Sequence, residues 1–162
     1  VKSFIEYTLD CLERGKIRLD PDIISERVTY HGPCNIARSG WIVEQPRRIL
    51  KSFVKDYVEM TPTGQRNYCC GGGGGLVSMD ETQEFRMTVA GKVKADQIRN
   101  TGASIVVAPC ANCKKQLKEL VDHHDLPCRV VGLHDLILDV IDIPGGKTAK
   151  ERLEARTLAL AG

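Results

Sequence analysis

The sequence predicts an α/β fold: a small three-layer domain with about four parallel strands and crossover helices, cysteines gathered at the C-terminal rim of the sheet. Three observations lead there. Short β-branched runs alternate with helical patterns along the whole chain. Ser104-Ile-Val-Val-Ala108 is too apolar for a solvent-facing strand and suits one buried on both faces. Leu133, Leu136, Ile137, Val140 and Ile141 form a complete i, i+3, i+4, i+7, i+8 helical face.

In order, Ser3-Phe-Ile-Glu6 has capping-box spacing and starts a helix through Phe4, Ile5, Leu9 and Leu12 that Gly15 closes. Cys11 within it reads as a small core residue. Arg27 to His31 is a short strand, followed by Gly32-Pro33-Cys34. Pro46 marks the first turn of a second helix through Ile49, Leu50 and Phe53. Asp56 to Met60 is a second strand, and a polar loop with Pro62 and Gly64 leads to Cys69-Cys70. Asp80 is expected to begin one long helix, with Phe85, Val89 and Val93 as its apolar stripe and Gly102 as its left-handed cap. The strand 104–108 runs into Pro109-Cys110-Ala111-Asn112-Cys113 and a helix through Leu117, Leu120 and Val121. Arg129 to Gly132 is the last strand, before the helix of 133–141. Residues 1–143 thus form one domain, and 144–162 a polar tail rich in Lys, Glu and Arg.

The cysteines turn this topology into chemistry. In an open parallel sheet, sites form beyond the carboxyl ends of the strands. Cys34 follows the first strand of the alternation, Cys69 and Cys70 the second, and Cys110 and Cys113 the third. Adjacent thiols such as 69 and 70 are poor disulfide partners, and an odd total of seven cysteines argues against complete pairing. Cys110 and Cys113 stand where a helix begins, and its free N–H groups favour thiolates. Cys70 also runs directly into Gly71-Gly72-Gly73-Gly74-Gly75. Glycines let backbone N–H groups approach a bulky anionic object, although a glycine run elsewhere is often a linker. Four thiolates suit zinc; five with a glycine cradle point to an iron–sulfur cluster, while zinc remains possible in an isolated fragment.

Composition narrows the classes. A formal charge of +2 without an aromatic-interleaved basic stripe gives no case for nucleic acid. No apolar run approaches the roughly 18 residues of a membrane span, so membrane association would need partner subunits. No Gly-Lys-Ser/Thr follows the glycines, which removes a nucleotide loop. Opening at Val1 inside a helical pattern, the chain reads as part of something larger.

The pattern formed by Cys34, Cys69-Cys70-Gly71, Cys110 and Cys113 resembles the CCG motif of the heterodisulfide-reductase-like family. Tyr30-His31-x-Pro33-Cys34, Pro46-Arg47-x-Ile49-Leu50 and Val107-Ala108-Pro109-Cys110-x-Asn112-Cys113 extend the likeness across residues 27–141. Looser stretches such as 92–98 and 132–135 are most similar to the iron–sulfur subunit of the membrane electron-transfer complex linked to dissimilatory sulfite reduction. The resemblance implies a noncubane [4Fe-4S] cluster held by Cys34, Cys69, Cys70, Cys110 and Cys113. It implies oxidoreductase chemistry on a disulfide or trisulfide, with a small thiol protein as sulfur substrate. It further implies a cytoplasmic location, other iron–sulfur subunits and a quinol-linked membrane cytochrome as partners. The upstream ferredoxin-like segment and second CCG module of some relatives are not in this sequence, so turnover by this piece alone is not expected. Alternative assignments are a structural zinc or partner-binding module, or the iron–sulfur subunit of a glycolate or lactate oxidase.

Further candidates are read individually. His31 could deliver a proton to a leaving thiolate, or simply cap its strand. Gly71, Gly72 and Gly73 are the cofactor-binding candidates. Lys114, Lys115 and Lys118 could offset cluster charge or form a solvated helix face. His134 lies near the rim, Trp41 could shield the site, and Cys128 sits at the opposite end.

Overall fold

A computed structural model describes residues 1–142 and 145–160, the side chains of 156–160 excepted. The expected domain boundary at 143/144 lies outside the described residues. Helices are α1 (Phe4–Glu13), α2 (Glu44–Lys51), α3 (Gln83–Phe85), α4 (Lys92–Thr101), α5 (Ala111–His123), α6 (Leu133–Val140) and α7 (Ala149–Leu160). Strands are β1 (Arg18–Leu19), β2 (Val28–Tyr30), β3 (Tyr57–Val58), β4 (Ile105–Val107), β5 (Arg129–Val131) and β6 (Ile141–Asp142).

The central sheet has the order β3-β2-β4-β5, and all its pairs are parallel. Side-chain alternation then separates two cores. Val28 and Tyr30 of β2, with Ile105 and Val107 of β4, pack against Leu9 of α1, Ile49 and Leu50 of α2, and Leu136 and Ile137 of α6. On the other face, Val106 and Val130 meet Ile98 of α4 and Leu117 and Leu120 of α5. Every β4 residue is fully buried, as its composition predicts. The sheet is the middle layer of three.

Local signals act where expected. The Ser3 N–H donates to Glu6 at 2.8 Å and the Glu6 N–H donates to Ser3 Oγ at 3.2 Å, closing the capping box of α1. Gly102 terminates α4 at φ +61°, in the left-handed region. Two features depart from expectation. The β1–β6 antiparallel pair has two residues per strand, too few to leave a readable pattern.

The second departure matters more: the helix expected from Asp80 is broken. It consists of a 3₁₀ turn (Asp80–Thr82), α3, a π-turn (Arg86–Ala90) and α4. Phe85, Val89 and Val93, read as the core stripe, are exposed. The buried side is instead Arg86, Met87, Lys94, Ala95 and Ile98. The reason lies at Gly91, whose N–H reaches back to Arg86 O at 2.9 Å. There the backbone of 90–91 lies against Gly71, while Leu120 of α5 closes over Gly91. An extra residue in that turn accommodates the close approach and rotates the apolar stripe outward.

A polar network ties α2 to β3 and the loop beyond it. Arg47 donates to Glu59 at 2.7 and 3.1 Å, to Val43 O at 2.6 Å and to Thr63 Oγ1 at 2.8 Å, while Tyr57 OH donates to Glu59 at 2.8 Å. Burial pushes the Glu59 carboxyl up, but the bonds from Arg47, Thr63 and Tyr57 outweigh it and hold it below its usual 4.5. With the folded value depressed, this carboxylate contributes its full stability above about pH 4.5 and loses it as pH falls through the folded value. Glu59→Gln is expected to cost about 1–3 kcal/mol near neutral pH and to flatten the acid limb of stability, read from thermal melts between pH 3 and 7.

Candidate metal centre

Three adjacent strands, β3, β2 and β4, deliver the site to one rim. Beyond β2 the chain passes His31, Gly32 and Pro33 to Cys34, which opens a π-turn (Asn35–Ser39). Pro33 O accepts from the N–H groups of Ile36 and Ala37 at 3.1 and 2.8 Å, which fixes this exit. Beyond β3 a loop with a 3₁₀ turn (Gly64–Arg66) reaches Asn67, Cys69 and Cys70. Beyond β4, Cys110 is the N-cap of α5 and Cys113 is buried in its first turn.

The sulfurs of Cys70 and Cys113 are 3.4 Å apart. A ring nitrogen of His31 joins them, the three ligand atoms lying within 4.8 Å of one another. Cys69 Sγ accepts from the Gly71 N–H at 3.4 Å, and Cys34 interacts with Cys69. All seven cysteines are free thiols. The structure therefore brings together Cys34, Cys69, Cys70 and Cys113. Cys110 stands at the same helix start and lines an adjoining recess with Lys114, Gly132, His134 and Asp135.

This surrounding favours the neutral thiol at Cys34, Cys69 and Cys70. The Cys113 partner, with burial adding to it, pushes the Cys70 thiol up to about 12. Cys69 is raised by its contact with Cys70 and by burial, and Cys34 by burial and by Cys69. A metal binding here must displace protons, the ordinary linkage for thiolate sites. His31 is fully buried, and burial together with Lys94 keeps its imidazole neutral, well below 6.5. Its Nδ1 faces the Asn67 amide at 3.5 Å, whereas Nε2 has no partner among the described residues. A buried ring nitrogen without a partner is costly unless something else occupies its direction.

The most consequential residue missed by sequence reasoning is Lys94, which the sequence presents as one more polar residue of a helix. It is fully buried, and its Nζ donates to Asn67 Oδ1 at 2.6 Å and Gln97 Oε1 at 2.5 Å, with Met60 Sδ at 3.7 Å. One signal existed: Lys94 is in register with Met87, Ala95 and Ile98 on the buried side. Arg38 donates to Asn67 O and so joins the Cys34 turn to the Cys69 loop.

The other candidates sort by their contacts. A Cβ on Gly71 would sit 2.9 Å from the backbone at Ala90 and Gly91, and one on Gly72 would sit 2.8 Å from Gln116 Cβ. Gly73 faces open space. The first two glycines are thus required by packing alone. His134 is drawn to α1, with Thr8 Oγ1 at 3.1 Å and the Phe4 ring at 4.2 Å. Lys114 pairs with Asp135 at 2.8 Å, and Lys115 donates to Val77 O at 2.8 Å. Trp41 is 70% exposed and covers little. Cys128 precedes β5, at the end of the sheet away from the rim.

Comparison with known proteins follows the same residues. The family described as CCG, a cysteine-rich domain, matches residues 28–118, which run from β2 through the first half of α5. The chain belongs to the CCG cysteine-rich domain family. The Hdr-like menaquinol oxidoreductase iron-sulfur subunit of Archaeoglobus profundus is 30% identical over 139 residues, covering 82% of this chain and 25% of that protein. One subunit of the fumarate reductase (CoM/CoB) of Methanothermobacter marburgensis is 36% identical over 128 residues, covering 78% of this chain and 24% of that protein. One subunit of the dihydromethanophenazine:CoB–CoM heterodisulfide reductase of Methanosarcina acetivorans is 30% identical over 121 residues, covering 74% and 28%. This CCG chain therefore spans about a quarter of the length of these relatives, which are named as subunits of an Hdr-like menaquinol oxidoreductase, a fumarate reductase and a heterodisulfide reductase. No solved structure matches it. Among the described residues, no helix is long and apolar enough to cross a membrane.

The donor set fits an iron–sulfur group. Clustered free sulfurs, a ring nitrogen without a partner and a buried ammonium together suit an anionic, sulfur-liganded cluster.

Proposed function

We infer that this CCG domain is the cluster-bearing module of a heterodisulfide-reductase-like electron-transfer subunit, acting on a disulfide or trisulfide at a noncubane [4Fe-4S] cluster. The supporting observation is the 3.4 Å approach of Cys70 and Cys113 sulfurs beside Cys69, Cys34 and a ring nitrogen of His31. Cys34, Cys69, Cys70, Cys110 and Cys113 would hold the cluster. When bound, it supplies one-electron steps that divide a two-electron sulfur–sulfur cleavage.

The chain's own groups have defined tasks in this reading. Asn67 Nδ2 donates to Gly32 O at 3.0 Å and faces His31 Nδ1, leaving the His31 proton on Nε2. Because the imidazole is neutral, that N–H would hold a departing thiolate as a hydrogen-bond donor, and Gly71 to Gly73 would border the cluster. Partners would be other iron–sulfur subunits and a quinol-linked membrane cytochrome on the cytoplasmic side, as the menaquinol oxidoreductase relative suggests. A small thiol protein would be the sulfur substrate.

A second reading is zinc. The set His31, Cys70 and Cys113, within 4.8 Å, matches the compactness of a zinc site and would serve stability alone. Anaerobic reconstitution followed by iron, acid-labile sulfide and zinc analysis decides. The expected result is about four irons with matching sulfide per chain. One zinc with no sulfide would replace the cluster reading with the structural one.

A further inference from the structure

The structure assigns to Lys94 the role of a built-in countercharge for an anionic group held by the rim sulfurs. The assignment rests on the cluster reading above and extends it to a positioning residue outside the ligand set. Lys94 is fully buried, and among the described residues no carboxylate lies within ion-pair distance of it. Its polar partners are two neutral amide oxygens, on Asn67 and Gln97, and one thioether sulfur, on Met60. Burying an ammonium on these terms is costly. The fold recovers that cost only when an anion comes within reach.

The surroundings specify which anion. Lys94 bonds Asn67 at 2.6 Å, the Asn67 amide faces His31 at 3.5 Å, and a His31 ring nitrogen lies within 4.8 Å of the Cys70 and Cys113 sulfurs. Charge on Cys70, Cys69, Cys34 and Cys113 therefore favours the charged form of Lys94. Burial brings the ammonium down to about 8 against the opposing pull of charge on those four cysteines, and its bonds to two neutral amide oxygens suit the protonated form. Deprotonated ligands and sulfide would add negative charge in that same low-dielectric pocket, where attraction is screened little. Lys94 also orients Asn67 by occupying its Oδ1, which leaves the Asn67 amide to Gly32 O and His31 Nδ1. One ammonium thereby supports both the sulfurs and the imidazole.

The competing account makes Lys94 a hydrogen-bond hub that only joins Met60, Asn67 and Gln97. Two variants separate the accounts. Lys94→Met removes the charge. Gln97→Glu keeps the shape but gives Lys94 a permanent carboxylate partner through the 2.5 Å contact, neutralising it in place. Wild type is reconstituted anaerobically first, and absence of iron and sulfide there ends the cluster reading itself. With wild type loaded, both variants are expected to show a more negative cluster reduction potential. Both should also lose iron to a chelator about tenfold faster or more, the usual scale for outer-sphere partners. Unchanged potential and retention in Gln97→Glu overturn the assignment, and this variant decides where Lys94→Met gives no folded protein. A hub would give an unfolded Lys94→Met beside a Gln97→Glu with wild-type potential.

Discussion

Serine at Cys70 or Cys113 is expected to empty the centre. Their sulfurs lie 3.4 Å apart, and both residues are buried where water cannot replace a lost ligand. Serine keeps the size but offers a hydroxyl that iron in a thiolate cluster binds poorly. Loss of an outer-sphere partner already lowers metal affinity about 10–100-fold, so loss of a ligand should exceed that. Iron and sulfide after anaerobic reconstitution should fall to background in Cys70→Ser and Cys113→Ser. Cys128→Ser and Cys11→Ser, away from the rim, should load like wild type. Full loading of the Cys113 variant would remove that residue from the proposed ligand set.

The second large effect concerns the glycines. Gly71 has φ +88°, a conformation that side chains rarely adopt, and a methyl group there would stand 2.9 Å from the backbone of 90–91. Neither obstacle is a flexible side chain that could swing away. Backbone strain of about 1–3 kcal/mol and overpacking of about 1–3 kcal/mol both apply to Gly71→Ala. A loss of roughly 2–5 kcal/mol is therefore expected, measured by denaturant unfolding of the metal-free protein. Gly73→Ala meets nothing in the protein and should change that stability by less than about 0.5 kcal/mol. The pair separates packing from cradling. If Gly73 borders the cluster, its alanine variant lowers iron retention while leaving unfolding untouched.

The sequence disclosed the sheet and the gathering of sulfurs for the same reason. Strand and helix alternate, parallel order follows, and the segments after β2, β3 and β4 must then emerge on one side. Cys34, Cys69, Cys70 and Cys113 could be placed together without knowing a single distance. The stripe at Phe85, Val89 and Val93 failed because period alone does not say which face is inward. The contact between Gly71 and the 90–91 backbone is a tertiary fact, and it is this contact that turns Arg86 and Lys94 inside. Lys94 stayed hidden because a lysine in a helix is nearly always solvated. Its partners Asn67 and Met60 come from another segment, which no local pattern connects to it.

The order β3-β2-β4-β5 carries a consequence for biosynthesis. As the nascent chain leaves the ribosome, Cys34, Cys69 and Cys70 emerge long before Cys113, and β2 has only β3 beside it until residues 105–107 wedge in on its other flank. Until that late docking there is no closed pocket, only three loosely held thiols exposed to oxidants and stray ions. On the cluster reading, iron and sulfide delivery would wait for synthesis to pass α5, which would make cluster insertion an event of the finished fold.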